Sequence, residues 1–208
     1  GSQEAETGKA IQQLVKMDER VFFYDYPFPF NYSAMMNYAA GICRGDHLLM
    51  MNNDVEVLNN DWLEALLEHS QRQEVGAVGA KLYYPDGTIQ HAGVILGIQG
   101  FAGHSHRNFP GDSDGYYNRL RCIQNVSAVT GALMMVKKRS YFEVGGFDEV
   151  NLSIDLNDID FCLKLMALGR LNIMTPYCEA IHHESITRGD DQISEKQERF
   201  ESEIRFFK

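Results

Sequence analysis

The chain has 208 residues, 44% hydrophobic and 23% charged, which suits one globular domain with a sizeable core. A formal net charge of −10 argues against a nucleic-acid surface, since phosphate backbones require basic patches. The four cysteines, Cys43, Cys122, Cys162 and Cys178, form no CxxC pair; this speaks against a zinc site and reads as reduced, buried, inert thiols.

Gly1-Ser2 reads as a tag remnant. Ile11, Leu14 and Val15 have helical spacing and predict a helix from about Glu4 to Lys16. Val21-Phe22-Phe23-Tyr24 predicts a strand, and the two prolines of Tyr26-Pro27-Phe28-Pro29-Phe30 make a stiff aromatic loop. A helix from about Asn31 to Cys43 leads to the apolar strand His47-Leu48-Leu49-Met50-Met51. That strand runs straight into Asn52-Asn53-Asp54. An acidic oxygen at the carboxyl end of a strand lies where open α/β sheets bind ligands, and a hard cation there can hold phosphate. Asn and Asp also end strands simply because they turn well, so the cluster alone supports either reading.

Asp61-Trp62-Leu63-Glu64 matches a capping box, with Leu63, Leu66 and Leu67 as the apolar face of its helix. Gly76 to Leu82 predicts a strand, Tyr84-Pro85-Asp86-Gly87-Thr88 a turn, and Val94 to Ile98 a further strand. Gly100 to Arg121, rich in Gly, Asn, Asp, Tyr and His, predicts a long functional loop in which His104, His106 and Arg107 meet phosphate or sugar, or are merely solvated. Ala132 to Val136 predicts a strand, Ser140-Tyr-Phe-Glu143 a second capping box, and Gly145-Gly146 the end of its helix. Asp158 to Leu168 predicts a helix with Phe161, Leu165 and Leu168 inward; Leu171 to Met174 predicts a strand that Pro176 ends. Ile193, Gln197, Phe200, Ile204 and Phe207 give a final amphipathic helix. Alternating strands and helices predict an α/β domain with a mainly parallel sheet, plus a hairpin from the central Gly-rich region.

Three constellations carry chemistry: Asn52-Asn53-Asp54, Asn157-Asp158-Ile159-Asp160 at a helix start, and Ile181-His182-His183-Glu184 after the last strand. Taken singly, Asp158 or Asp160 is a helix cap and His182 a structural histidine. Together they resemble family 2 glycosyltransferases of the GT-A type. Met51-Asn52-Asn53-Asp54-Val55 is similar to the family's strand-end DxD-like motif. Val144-Gly145-Gly146-Phe147-Asp148-Glu149 resembles its "vGGFDE" stretch, and Asn157 to Leu165 its "EDVDLCLRL" helix start. Gly169-Arg170-Leu171, Thr175-Pro176 and Ile181-His182-His183-Glu184-Ser185 resemble "aGyri…tP" and "iHHES"; Phe30-Asn31-Tyr32-Ser33 and Asn37 resemble the approach to the DxD strand. The likeness runs from about Val21 to Arg188.

The resemblance implies a GT-A mixed sheet with flanking helices and an inverting transfer from a nucleotide-sugar donor to a glycan or lipid-linked acceptor, in bacterial surface polysaccharide synthesis. It implies Mn²⁺ or Mg²⁺ held by Asp54 and His182, with His183 as the alternative ligand. Asn52, Asn53, Asp54 and Asn37 fall on donor-side positions, and Gly145, Gly146, Asn157 and Asp160 on acceptor-side ones. Asp158 falls on the catalytic base. Asn52 and Asn157 stand where relatives carry acids, which leaves direct metal ligation by Asn52 and the tuning of the base open. The family's nucleoside-binding "VDNGSTD"-like strand end is not in these residues, so the N-terminal βαβ half is expected outside this chain, and the 208 residues alone are expected to bind donor weakly and turn over little. The expected division is 1–20 remnant and helix, 21–190 glycosyltransferase portion, and 191–208 terminal helix. No segment is apolar and long enough to span a membrane, and the expected location is cytoplasmic or peripheral at the inner membrane face. Two rival readings are a degenerate carbohydrate- or partner-binding module and a phosphatase-like metal hydrolase; the second needs a dense carboxylate cluster that the sequence lacks.

Overall fold

A computed structural model describes residues 5–183 and 193–207. Gly1-Ser2, Glu4, Glu184, Ser185 and Arg188 lie outside the described residues. The elements in order are α1 (Ala5–Met17), α2 (Tyr32–Ile42), β1 (His47–Met51), β2 (Val55–Val57), α3 (Trp62–Ser70), β3 (Val75–Tyr83), β4 (Ile89–His91), β5 (Val94–Leu96), β6 (Ala102–His104), β7 (Gln124–Val126), β8 (Leu133–Lys137), α4 (Lys138–Glu143), α5 (Asn157–Ala167), β9 (Leu171–His182) and α6 (Ile193–Phe207).

A seven-stranded sheet runs β1-β8-β3-β9-β2, with β4 added to β3 and β7 to β9. Only β3 and β9 are parallel; every other pairing in this sheet is antiparallel. The expectation of a mainly parallel sheet is thus corrected to a mixed one. Of the antiparallel pairs in this sheet only β3 and β4 are consecutive strands, joined by the Asp86-Gly87 turn; β1·β8, β3·β8, β2·β9 and β7·β9 bring together strands that are not consecutive, whose relative direction the alternation of elements along the sequence does not set. The predicted hairpin is present as β5 and β6, paired from Val94↔His104 to Leu96↔Ala102.

Both faces of the sheet are covered, so its central strands read as unbroken apolar runs rather than alternating ones. Leu48, Met50, Ala77, Met134, Val136 and Met174 face α2, α4 and α5 through Ala40, Tyr141, Phe161 and Leu165. Val78, Ala80, Leu82, Leu133, Met135 and Ile173 face α3 through Ala65 and Leu66. Tyr141, Phe147 and Phe161 meet pairwise at centroid distances of 5.7, 5.2 and 5.1 Å, contacts that add about 0.5–1.5 kcal/mol each beyond area burial.

Several local expectations give way to tertiary context. Val21 to Tyr24 is an exposed, non-helical stretch and pairs with no strand among the described residues; β propensity without a partner edge makes no sheet. Asp61 makes no cap hydrogen bond, because its Oδ1 accepts from Asn59 Nδ2 at 2.6 Å. Leu63 and Leu67 are exposed, and α3 turns Ala65, Leu66 and His69 inward instead. Helix α4 follows β8 without a break, which leaves Ser140 buried inside the helix rather than at its cap. Leu168 is exposed at the C-cap of α5. Cys43 and Cys122 are exposed, and only Cys162 and Cys178 are buried. Pro176 does not end β9. The ladder with β3 jumps from Ala80↔Thr175 to Lys81↔Glu179, so Pro176 sits in a bulge where its missing N–H interrupts nothing. The Asp86-Gly87 turn forms as expected, with Gly87 at φ 84°.

Helix α6 is tied down by a buried carboxylate. Glu203 Oε1 accepts from Ser153 N (3.1 Å), Ser153 Oγ (2.9 Å) and Ile154 N (3.3 Å), and its Oε2 from Asp155 N (2.7 Å). Glu203→Ala leaves three backbone donors without that acceptor. It is expected to destabilise the protein by about 3 kcal/mol, read as a lower urea midpoint at unchanged slope.

Candidate functional site

Strand β1 delivers Asn52 to the sheet's end, and Asn52 N donates to Ala132 O at 2.9 Å. Two residues of turn follow, and β2 then pairs back along β9 with Val55 opposite His182. This register brings Asp54 against the last residue of β9. Asp54 Oδ1 lies 3.2 Å from His182 Nε2, and both side chains are mostly buried. Asp54 Oδ1 accepts no hydrogen bond among the described residues.

The reason lies on the other side of the imidazole. Gln90 Nε2 donates to the His182 carbonyl at 3.2 Å, which fixes the amide so that Oε1 faces the ring. Oε1 is 2.8 Å from His182 Nδ1 and accepts its proton. Neutral His182 then carries no hydrogen on Nε2, and Asn52 Nδ2, 3.3 Å away, donates to that nitrogen. A carboxylate oxygen and an imidazole lone pair thus face each other, the donor set that a divalent cation takes. Asn52 presents its nitrogen here; rotation of the amide presents an oxygen in its place. Asn53 is an exposed turn residue. His183 pairs with Glu56 Oε2 at 3.4 Å, while its backbone N–H holds the Asp54 carbonyl at 2.9 Å. No group of three or more His, Cys, Asp or Glu suited to a metal occurs among the described residues.

Asp158 is the second residue of α5. Its Oδ1 accepts from Ile159 N at 2.8 Å and its Oδ2 from Gly131 N at 2.9 Å. The same Gly131 receives the Tyr32 hydroxyl on its carbonyl at 3.0 Å. Burial, reinforced by the Asp158 carboxylate, pushes the Tyr32 phenol well above its ordinary range, so it stays a donor. Residues 130–132 are therefore the hinge between the two constellations: Gly131 holds Asp158, and Ala132 holds Asn52.

The acceptor-side candidates are used differently. Asn157 is buried, and its Nδ2 donates to Ile154 O at 2.9 Å. Asp160 pairs with Lys164 one turn along α5 at 2.7 Å. Asn37 is committed to the polypeptide at both ends: Oδ1 accepts from Tyr141 Oη and Phe147 N, and Nδ2 donates to Phe147 O and Glu149 Oε2. Gly145 and Gly146 close α4 at φ 80° and 72°, and a Cβ on Gly146 would lie 2.4 Å from Asn37 Oδ1. They line, with Asn37, Tyr141 and Asp148, an open concavity of about 370 Å³ that contains neither Asp54, Asp158 nor His182. A smaller cavity of about 90 Å³ is the one beside the chemistry. Tyr84, Gln90, His104, Arg107, Thr130 and His182 line it. Arg107 Nε donates to Tyr84 Oη at 2.7 Å, so the charged end of Arg107 is held at its wall.

His91 is wholly buried behind this cavity. Its Nε2 accepts from Gly93 N and Thr130 N at 3.3 and 3.4 Å, which leaves Nδ1–H to donate to His104 Nδ1 at 2.7 Å. Burial, then the neighbouring His104 and His182, holds the His91 pKa well below the ordinary value, so it is neutral. Sequence reasoning gave Gln90, Tyr32 and Gly131 no role. A lone Gln in a short buried strand just after the Asp86-Gly87 turn was the available signal for Gln90.

Comparisons with known proteins show the family and the fold. The profile of glycosyl transferase family 2 matches residues 1–142. The chain is 46% identical over 208 residues to an uncharacterized protein, y4gI, of Sinorhizobium fredii, covering all of this chain and 23% of that protein. It is 39% identical over 191 residues to the O-antigen biosynthesis protein RfbC of Myxococcus xanthus, covering 91% of this chain and 15% of that protein. The chain thus spans less than a quarter of the length of either relative. Its fold is similar to the crystal structure of GalNAc-T7 with UDP, GalNAc and Mn²⁺, at a TM-score of 0.69 and 13% identity over 88% of this chain and 36% of that one. The expected mixed GT-A sheet with flanking helices is therefore the architecture observed.

Proposed function

Since the chain belongs to glycosyl transferase family 2, we propose that it supplies the metal-diphosphate end and the base of an inverting sugar transfer. The donor is a nucleotide sugar, and the acceptor is a glycan or lipid-linked glycan of a bacterial surface polysaccharide. The observation that carries this reading is the approach of Asp54 Oδ1 to His182 Nε2 at 3.2 Å, with Gln90 Oε1 against the ring's Nδ1, at the strand end where α/β sheets bind ligands. RfbC, an O-antigen biosynthesis protein, supports the polysaccharide assignment, and the UDP and Mn²⁺ in the GalNAc-T7 structure support the donor class and the metal.

Asp54 and His182 would hold Mn²⁺ or Mg²⁺: Asp54 Oδ1, without a hydrogen-bond partner among the described residues, and the imidazole nitrogen beside it, met by Asn52 Nδ2 at 3.3 Å, fit such an ion. When bound, the ion neutralises charge on the departing diphosphate. Everything else falls to side chains. Asp158, fixed by Gly131 N–H and Ile159 N–H, accepts the proton of the acceptor hydroxyl as that oxygen bonds to the anomeric carbon. The bond from that carbon to the diphosphate breaks in the same displacement, and the nucleoside diphosphate leaves. One displacement with no enzyme nucleophile inverts the anomeric centre. Arg107, held by Tyr84 at the 90 Å³ cavity, offers charge to substrate phosphate.

The test is a screen of nucleotide sugars with and without Mn²⁺, in the chain and in any longer polypeptide of which it forms part. Metal-dependent release of nucleoside diphosphate from one donor is expected, with EDTA abolishing it. Release that ignores EDTA removes the metal assignment. The rival reading, a binding module without catalysis, is favoured by Asn157, whose amide is spent on Ile154 O where relatives carry an acid. Donor binding with no turnover in either polypeptide would select it.

A further inference from the structure

We infer that Gln90 is a positioning residue that locks His182 in the Nδ1–H tautomer and so keeps Nε2 open as a metal ligand. The inference rests on the proposed role of Asp54 and His182, and it deepens that role by naming what keeps the site ready.

A neutral imidazole at this place has two choices. With its proton on Nε2 it can donate to Asp54 Oδ1, 3.2 Å away, satisfying a buried carboxylate oxygen that otherwise accepts nothing among the described residues. That state closes the site, because the carboxylate and the ring satisfy each other. With its proton on Nδ1 the ring leaves Asp54 unsatisfied and Nε2 free of hydrogen. Left to the pair, the first tautomer has the better local hydrogen bonding. Gln90 reverses the order by gripping His182 at two points, its carbonyl at 3.2 Å and its Nδ1 at 2.8 Å. The carbonyl contact consumes the amide nitrogen, so only the oxygen can face the ring. An oxygen acceptor there demands Nδ1–H. Asn52 Nδ2, donating toward Nε2 at 3.3 Å, is compatible with that tautomer alone.

The grip is rigid because of where Gln90 sits. It is buried at the middle of β4, between Ile89 and His91, both without exposed surface. Strand β4 is held to β3 by the pairs Leu82↔His91 and Tyr83↔Ile89. His91, on the opposite face, anchors the strand through Gly93 N, Thr130 N and His104. The amide is therefore held in the interior, away from solvent. Partners of this kind behind ligating histidines set ring orientation, and their loss weakens metal binding by about 10–100-fold.

The test compares Gln90→Leu, Gln90→Glu and Asp54→Asn with the native protein. Long-range ¹H–¹⁵N spectra of the metal-free protein read the His182 tautomer directly, assigned against His182→Gln. The native protein is expected to show Nδ1–H, and Gln90→Leu a shift toward Nε2–H. Mn²⁺ titration is expected to show about 10–100-fold weaker binding in Gln90→Leu. Gln90→Glu keeps an oxygen acceptor for Nδ1 but gives up the donation to the His182 carbonyl, and is expected to hold the Nδ1–H tautomer that Gln90→Leu loses, which a merely space-filling role would not do. A native tautomer with native Mn²⁺ affinity in Gln90→Leu overturns the inference, as does an Nε2–H tautomer in the native protein. Asp54→Asn separates the two claims: if it binds Mn²⁺ as well as the native protein, the metal reading itself falls. If Asp54→Asn loses the ion and Gln90→Leu keeps it, only the role of Gln90 falls.

Discussion

Replacing Asp158 by Asn is expected to cut turnover by about 10²–10⁴-fold, the usual worth of a positioned base, with the melting temperature shifted little. The substitution is close to isosteric. Its oxygen can still accept from Ile159 N–H or Gly131 N–H, the two donors that now hold the carboxylate at 2.8 and 2.9 Å. What it cannot do is take a proton from an acceptor hydroxyl. A helix-cap role predicts the reverse pattern, since losing a charge at the start of α5 costs about 0.3–1 kcal/mol of stability and leaves the chemistry alone. Steady-state kinetics beside thermal unfolding decides between them. Near-native turnover in Asp158→Asn would remove the base from this residue.

The second large effect concerns Asp54. Asp54→Asn is expected to weaken Mn²⁺ binding by more than about 100-fold, beyond the range seen for residues behind a ligand. Turnover should fall with it. Stability without metal should hold or rise, because the native Oδ1 is buried with no hydrogen-bond donor among the described residues, and the amide removes that charge. Gain of stability with loss of metal is the signature of a residue kept for function. If Asp54 merely shaped a turn, Asn would serve equally well and neither quantity would move. Isothermal titration with Mn²⁺ and unfolding in EDTA give the two readouts.

Local pattern carried the parts of this molecule that are locally determined. The strand into Asn52, the Asp86-Gly87 turn, the Gly145-Gly146 stop and helix α5 all follow from short-range chemistry, and all are present. Parallel or antiparallel order did not, because it depends on which strands meet, and alternation of elements does not record that. Capping boxes at Asp61 and Ser140 failed for the same reason: a nearby Asn59 and an unbroken β8 settled those helix starts. In the candidate site, Asp54, Asp158 and His182 stood out as residue types in an order that resembles the family's. Their supports were not. Gln90, Gly131 and Glu203 act through contacts that span 92, 27 and 50 residues. Asn37 shows the converse, since its place in the motif pointed toward the donor while its amide is spent on Tyr141, Phe147 and Glu149.

The bulge in β9 decides which face the end of that strand presents. Between Thr175 and Glu179 the strand takes four steps while β3 takes one, from Ala80 to Lys81. An even count on one strand thus answers an odd count on the other, and the surplus residues, Pro176 to Cys178, reverse the parity of all that follows. Ile173 and Ala180, seven residues apart, therefore lie in the same core cluster, where unbroken alternation would put them on opposite faces. His182, two residues beyond Ala180, takes its face from the same reversal. The buried Cys178 holds the segment in the core, so the bulge is a fixed change of phase between the core half of β9 and the half that carries His182.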